Sequence, residues 1–210
     1  HDWIAEEGRP ERDIQRHADR RTADFRMSTT DPDATPMRAG MGGPTKLGYQ
    51  VHDVIDGGRA RIIVNVLVTP GEVMENQVML DLLWHTCFRQ KHWPDQVTAD
   101  TTYGTVENIV PIEDAGICAY LPLPDWDQRT PYFGASHFLY DPETDTYRCP
   151  AGQTLRRDHA KYTEGTIVYQ AAPGICDACA LKPQCTTSKE GRRIHRSMDE
   201  DYLDRVRAYH

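Results

Sequence analysis

Residues 96–123, QVTADTTYGTVENIVPIEDAGICAYLPL, decide the fold class. QVTAD is a short strand-forming run that ends in an acid, and TTYG turns. VENIVPIEDAG then carries apolar residues at helical spacing despite Pro111, with Gly116 as its cap, and AYLPL is strand-like again. A strand, a helix and a strand in that order require a crossover that returns the second strand to the first. Upstream, GYQVHDVID (48–56) and RARIIVNVLVT (59–69) are rich in β-branched residues and flank Asp56, Gly57 and Gly58, a hairpin signal. Pro70 and Gly71 end the second strand. MENQVMLDLLWHTCFRQ (74–90) then spaces Val78, Leu82 and Cys87 as a helix that stops before Pro94. The expected class is α/β, a layered sandwich whose later strands join the sheet through helical crossovers.

Outside this region the texture changes. Residues 1–26 are almost wholly polar with charges of both signs, which predicts a solvated helix or linker, and 28–48 read as loop or short extended chain. Residues 122–137 are Pro-rich and irregular. FLYDPETDTYRC (138–149) predicts a hairpin turning on Asp141 to Asp145, and TIVYQA (166–171) a further strand. SMDEDYLDRVRAYH (197–210) opens a helix with Ser197 as candidate cap.

The formal charge is −8, unevenly spread: −10 over 27–146 and +5 over 147–197. A uniformly acidic chain would argue against a nucleic-acid partner, whereas this distribution leaves one basic segment free to meet phosphates. No run approaches the roughly 18 consecutive apolar residues of a membrane span, and no leader pattern precedes a cleavage site, so no membrane partner is expected and the cytoplasm is the expected compartment.

Six cysteines without a leader favour metal ligation or burial over a disulfide framework. Cys149, Cys176, Cys179 and Cys185 include a C-x2-C pair, the spacing that grips one tetrahedral zinc from a tight turn, and two flanking thiolates complete a closed site. His159 or His195 is the alternative fourth ligand, and unligated thiols are the plain alternative. A segment this poor in large apolar groups gains folding free energy from such a metal. Cys87 and Cys118 lie in apolar contexts and read as core. Asp100, at the carboxyl end of a short strand before a turn and helix, occupies the place where open α/β sheets carry catalytic groups; a turn-forming or capping role is the competing reading. Lys189, Arg192, Arg193 and Arg196 form the basic cluster, read either as DNA-phosphate contacts or as a solvated rim. Trp84, Trp93 and Trp126 read as packing residues.

Taken in order, STTDPDAT (28–35), LGYQVHDVIDGGRARIIVNVLVTPGEVMEN (47–76), ADTTYGTVENI (99–109), YDPETDTYRCPAGQTL (140–155) and CTTSKEGRRIHRS (185–197) resemble the DDE transposases of bacterial insertion sequences. They are most similar to the branch with a cysteine-bearing insertion between the second Asp and the Glu. The resemblance implies a ribonuclease-H-like mixed sheet with flanking helices, plus a small inserted zinc-binding β-rich module. It implies Mg2+ or Mn2+ held by three carboxylates for cleavage and transfer of double-stranded DNA, with Asp100 as the second Asp. A homodimer is the further assembly weighed. The implied organisation is a polar helical or linker segment over 1–27, a partial catalytic core over 28–134, the zinc insertion over 135–197 and the start of a C-terminal helix over 198–210.

In that branch the first Asp lies in an Asp-Gly-Thr strand before the polar segment, and the Glu on a helix beyond residue 210. The chain therefore reads as a central fragment. Asp31 and Asp33 are weak substitutes beside Pro32, and Glu107 reads as a capping or solvated residue. The alternatives are a zinc-stabilised DNA-binding or interaction module, or a transposase remnant, neither with catalysis of its own.

Overall fold

The computed structural model describes residues 28–38 and 44–210, and the polar segment expected over 1–27 lies outside them. The class is mixed α/β, as the strand and helix order predicts. Among the described residues the strands are hydrogen-bonded in three separate sheets, so Gln96–Thr98 and Cys118–Tyr120 do not join the sheet of the preceding hairpin as the expected layered sandwich required. The chain divides into two compact units at Trp93 and Pro94.

In the first unit β1 (Thr35–Arg38), β2 (Thr45–Ile55) and β3 (Ile63–Pro70) form an antiparallel sheet in that order. The turn between β2 and β3 is longer than two residues. Asp56 N–H donates to the Ile62 carbonyl at 2.9 Å and Arg61 takes a left-handed φ of 48°, so β3 starts at Ile63 and not at Arg59. Register pairs Val51 with Val68 and Asp53 with Val66, which sorts alternate residues onto two faces. One face packs on helix α1 (Met79–Gln90), whose Met79, Leu82, Leu83 and Cys87 are buried. Three polar side chains, His52, Asn65 and Thr69, are buried on this face and all are bonded. Asn65 donates to Thr86 Oγ1 at 3.0 Å, and His52 Nε2 lies 2.9 Å from Thr69 Oγ1. The other face, Val51, Ile55, Ile63, Val66 and Val68, is exposed. The αL residue Lys91 caps α1.

The second unit opens with the crossover read from the sequence. β4 (Gln96–Thr98) and β5 (Cys118–Tyr120) pair in parallel, joined through helix α2 (Val106–Asp114). Pro111 removes one helical hydrogen bond, but Ile109 and Ile112 on the same helix are wholly buried, and their packing overrides the loss. Helix α3 (Glu200–Tyr209) packs on α2 and β5 through Leu203 and Val206. Its N-cap is Asp199, without a side-chain cap bond, and not the expected Ser197. Ser197 stands two residues earlier, where its hydroxyl accepts from Asp199 N–H at 3.1 Å while Glu200 accepts from Ser197 N–H at 3.0 Å.

Between these elements lies a five-stranded antiparallel meander: β6 (Leu139–Asp141), β7 (Thr146–Arg148), β8 (Thr154–Lys161), β9 (Thr166–Ala171) and β10 (Arg193–Ser197). Its inner face gathers Phe138, Tyr147, Leu155, Tyr169, Ala171 and Ile194. The connection from β9 to β10 spans 172–192 and carries three of the four zinc-candidate cysteines.

Candidate metal centre

Two loops present the four thiols. Cys149 follows β7 in a tight knuckle, with its N–H donating to the Gln153 carbonyl at 2.9 Å and its carbonyl accepting from Gly152 N–H at 2.8 Å. Cys176 and Cys179 bracket a turn closed by Cys179 N–H donating to the Cys176 carbonyl at 3.3 Å. Lys182 N–H then donates to the Cys179 carbonyl at 3.0 Å, and Cys185 ends the helical turn Lys182–Cys185. All four cysteines are unbonded to one another and line a single cavity with Phe133, Phe138, Leu155 and Leu181. Its free volume is ≈ 30 Å³, the room of one small ion.

Gly191 is required here on two counts. It holds a left-handed φ of 87°, and a Cβ on it would lie 2.9 Å from Cys176 Sγ. Arg192 beside it turns inward, donates to the Phe133 carbonyl at 2.9 Å and lines the same cavity. Burial pushes the Cys185 thiol up; Arg192 pulls against that rise, and the other three thiols add to it. Among the described residues no group of three or more His, Cys, Asp or Glu side chains stands ready to hold a metal ion, so the thiols surround the cavity without having closed on one point. His159 and His195 do not line it.

Asp100 stands just past β4, exposed, as the cap of the 3-10 turn Thr101–Tyr103; one carboxylate oxygen accepts from Thr102 N–H at 2.8 Å. The loop is pinned at Gly104, where a Cβ would fall 2.2 Å from the Pro122 carbonyl oxygen. Asp31 accepts from the Tyr49 hydroxyl at 2.8 Å, and Asp33 and Glu107 are exposed. With one carboxylate at the end of β4 and no carboxylate cluster among the described residues, these side chains do not form a two-cation site.

The basic cluster is split by the strand alternation. Lys189 and Arg193 are exposed. Arg196 lies under the meander, 3.9 Å from the Tyr140 ring centroid and bonded to the Tyr147 hydroxyl at 3.4 Å. Cys87 is buried, and its thiol is pushed up by that burial. Trp84 and Trp93 pack on each other at 5.5 Å, while Trp126 is exposed beneath the Arg129 guanidinium.

One residue escaped the sequence reading. Glu113 is 7 % exposed at its side chain and accepts from Ala119 N–H at 2.8 Å, from Tyr209 Oη at 3.1 Å and from Arg205 Nε at 3.3 Å. It ties α2, β5 and α3 together. Only its position on the inner side of a short amphipathic helix could have flagged it.

No protein-family model matches the chain, and no curated protein or solved structure matches it either.

Proposed function

We propose that the chain is the central part of a DDE-type transposase with a ribonuclease-H-like core, contributing one metal-binding carboxylate, Asp100, and a zinc-closed module to an enzyme that cuts and joins double-stranded DNA. The observation that carries the reading is Asp100 at the carboxyl end of β4 in a parallel β–α–β unit, inside the ordered series of motifs over 28–197. A carboxylate there suits a hard cation such as Mg2+ or Mn2+. One carboxylate does not hold two cations. The 210-residue chain alone is therefore expected not to nick supercoiled plasmid with either metal. Joined to segments that supply the remaining Asp and Glu, it is expected to do so, and Asp100→Asn to abolish the activity. Full activity in that variant overturns the reading.

The cavity favours a second, compatible role as a zinc-stabilised module. Four sulfur donors, an apolar lining and room for one ion fit a closed structural zinc site, and the Arg192 guanidinium offsets part of the negative charge that four thiolates would leave around a divalent ion. The purified chain should hold about one zinc per molecule and lose it in the Cys176→Ser, Cys179→Ser double variant. A fully folded, metal-free protein overturns this role.

A further inference from the structure

Two cations line the thiol cavity, and one is answered outside it: Lys182 turns its ammonium to Asp177. The other, Arg192, is half-buried and forms no ion pair among the described residues. Its guanidinium is nevertheless fixed. Nη2 donates to the Phe133 carbonyl at 2.9 Å, and the group lies over the Phe138 ring, 5.6 Å from its centroid. Its Nε is buried and has no hydrogen-bond partner. That N–H is one of the five donors of a guanidinium that stays charged, and a buried donor left without an acceptor is costly. The neighbouring Arg193 shows the contrast: at the surface its Nε donates to Gln170 and its Nη2 to Glu190. Phe133 also places the Arg192 fork beside one particular thiol. Its N–H donates to the Gln184 carbonyl at 2.9 Å, so one residue clamps both Arg192 and the helical turn that ends in Cys185. The charge of the guanidinium acts on that Cys185 thiol. Most of the remaining lining is apolar, and a water there would need two to four polar partners, so sulfur is the acceptor in supply.

We infer that Arg192 is a positioning residue of the metal centre, whose Nε–H donates to the Cys185 sulfur once the four thiolates close on a divalent ion, while Nη2 stays on the Phe133 carbonyl. The inference rests on the zinc reading above and adds to that site a supporting donor and an order of reactivity among its ligands. A charge-assisted N–H bond to a thiolate fixes the direction in which the sulfur faces the metal, the task that groups just outside a metal site perform. It also draws electron density from the sulfur. Cys185 then becomes the weaker donor to the ion and the weaker nucleophile, while Cys149, Cys176 and Cys179 gain no such bond from Arg192. Lysine does not replace arginine here, because a single ammonium lacks the planar fork that serves two acceptors in set directions. The orphaned Nε of the metal-free arrangement and the missing counter-ion are thus answered together, by a thiolate that carries both the lone pair and the charge.

The zinc-loaded 210-residue chain, with its Arg192→Lys and Arg192→Met variants, tests this by N-ethylmaleimide labelling read cysteine by cysteine in the mass spectrometer. In the parent, Cys185 should be the slowest of the four cysteines to react. In both variants it should react about tenfold faster, and zinc affinity measured against a competing chelator should fall about 10–100-fold. Cobalt(II) in place of zinc gives a second readout: the sulfur-to-cobalt charge-transfer band should move to lower energy in both variants, since an unbonded thiolate is the stronger donor. Arg192→Lys keeps a donor for the Phe133 carbonyl, so its thermal unfolding should stay close to the parent's, which separates the lost Nε–H bond from lost packing. Parent-like labelling and spectrum in Arg192→Lys would mean that charge alone suffices, and overturns the directed bond. Equal acceleration of all four cysteines overturns the assignment to Cys185, and unchanged affinity and labelling in Arg192→Met overturns any part for Arg192. These three results leave the zinc reading in place. A parent chain that binds neither zinc nor cobalt overturns both.

Discussion

Asp145 sits in the β6–β7 turn at a left-handed φ of 48°, a conformation an Asp tolerates better than most side chains. From there its carboxylate accepts from the hydroxyls of Tyr169 and Tyr140, two rings of the aromatic cluster under the meander. The Tyr169 hydroxyl does most to hold the Asp145 carboxyl below the usual carboxylate range, against a smaller opposing effect of burial. Burial, then Asp145, raises the Tyr169 hydroxyl above the ordinary tyrosine range. The two signs give a window. The depressed carboxyl contributes stability that is complete above its unfolded value near pH 4 and is lost as pH falls through the folded value. The raised hydroxyl contributes stability present below its unfolded value near pH 10 and lost as pH rises further. Asp145→Asn should cost about 1–2 kcal/mol at pH 7, since hydrogen bonds to a charged acceptor are the strong ones and this acceptor is partly exposed. Urea unfolding at several pH values should show the gap between parent and variant shrinking below about pH 4. A gap unchanged down to pH 3 removes the carboxylate from the explanation.

At the scale of elements, the α2–β5–α3 group depends on one buried acid. Removing Glu113 leaves Ala119 N–H without its acceptor and Arg205 and Tyr209 without their shared partner. Glu113→Ala should destabilise the chain by roughly 2–3 kcal/mol, and Glu113→Gln by less, because an amide oxygen still serves Ala119. Denaturant midpoints at constant slope check this; equal losses in both variants would instead point to charge. Gly104→Ala drives a methyl into the Pro122 backbone, which cannot swing away as a side chain would, so a cost of roughly 1–3 kcal/mol is expected. The β4–α2–β5 unit was legible because its period changes cleanly from strand to helix and back. So was the β2–β3 hairpin, although Arg61 lengthened its turn. β8 was not legible: TLRRDHAK has one buried apolar residue, Leu155, and becomes a strand because β9 offers it a ladder. β10 is alike, with Ile194 as its single deep anchor. The cysteine spacing declared a shared site, but strand parity in β10, which sends Arg193 outward and Arg196 inward, needed the register to be seen.

Across the whole molecule, the two units carry separate cores and unequal dependence on the thiols. The first packs α1 on the β2–β3 hairpin through Leu82, Leu83 and Cys87, with no candidate zinc ligand. In the second, Cys149, Cys176 and Cys185 pack directly against the aromatic cluster, so whatever draws the thiols together also fixes the 172–192 connection and the inner edge of the meander. If zinc does this, its free energy of binding is folding free energy for that unit alone. Hydrogen exchange read by mass spectrometry should then separate the two. Treatment with a strong zinc chelator, or Cys176→Ser, should speed amide exchange in β8, β9 and β10 by about tenfold or more, a loss of at least roughly 1.4 kcal/mol of local stability. Amides of α1 between Leu82 and Cys87 should exchange at their original rate. Acceleration spread equally over α1 and the meander would mean that the chain opens as one cooperative body, whereas protection unchanged everywhere would remove the metal from the folding of the module.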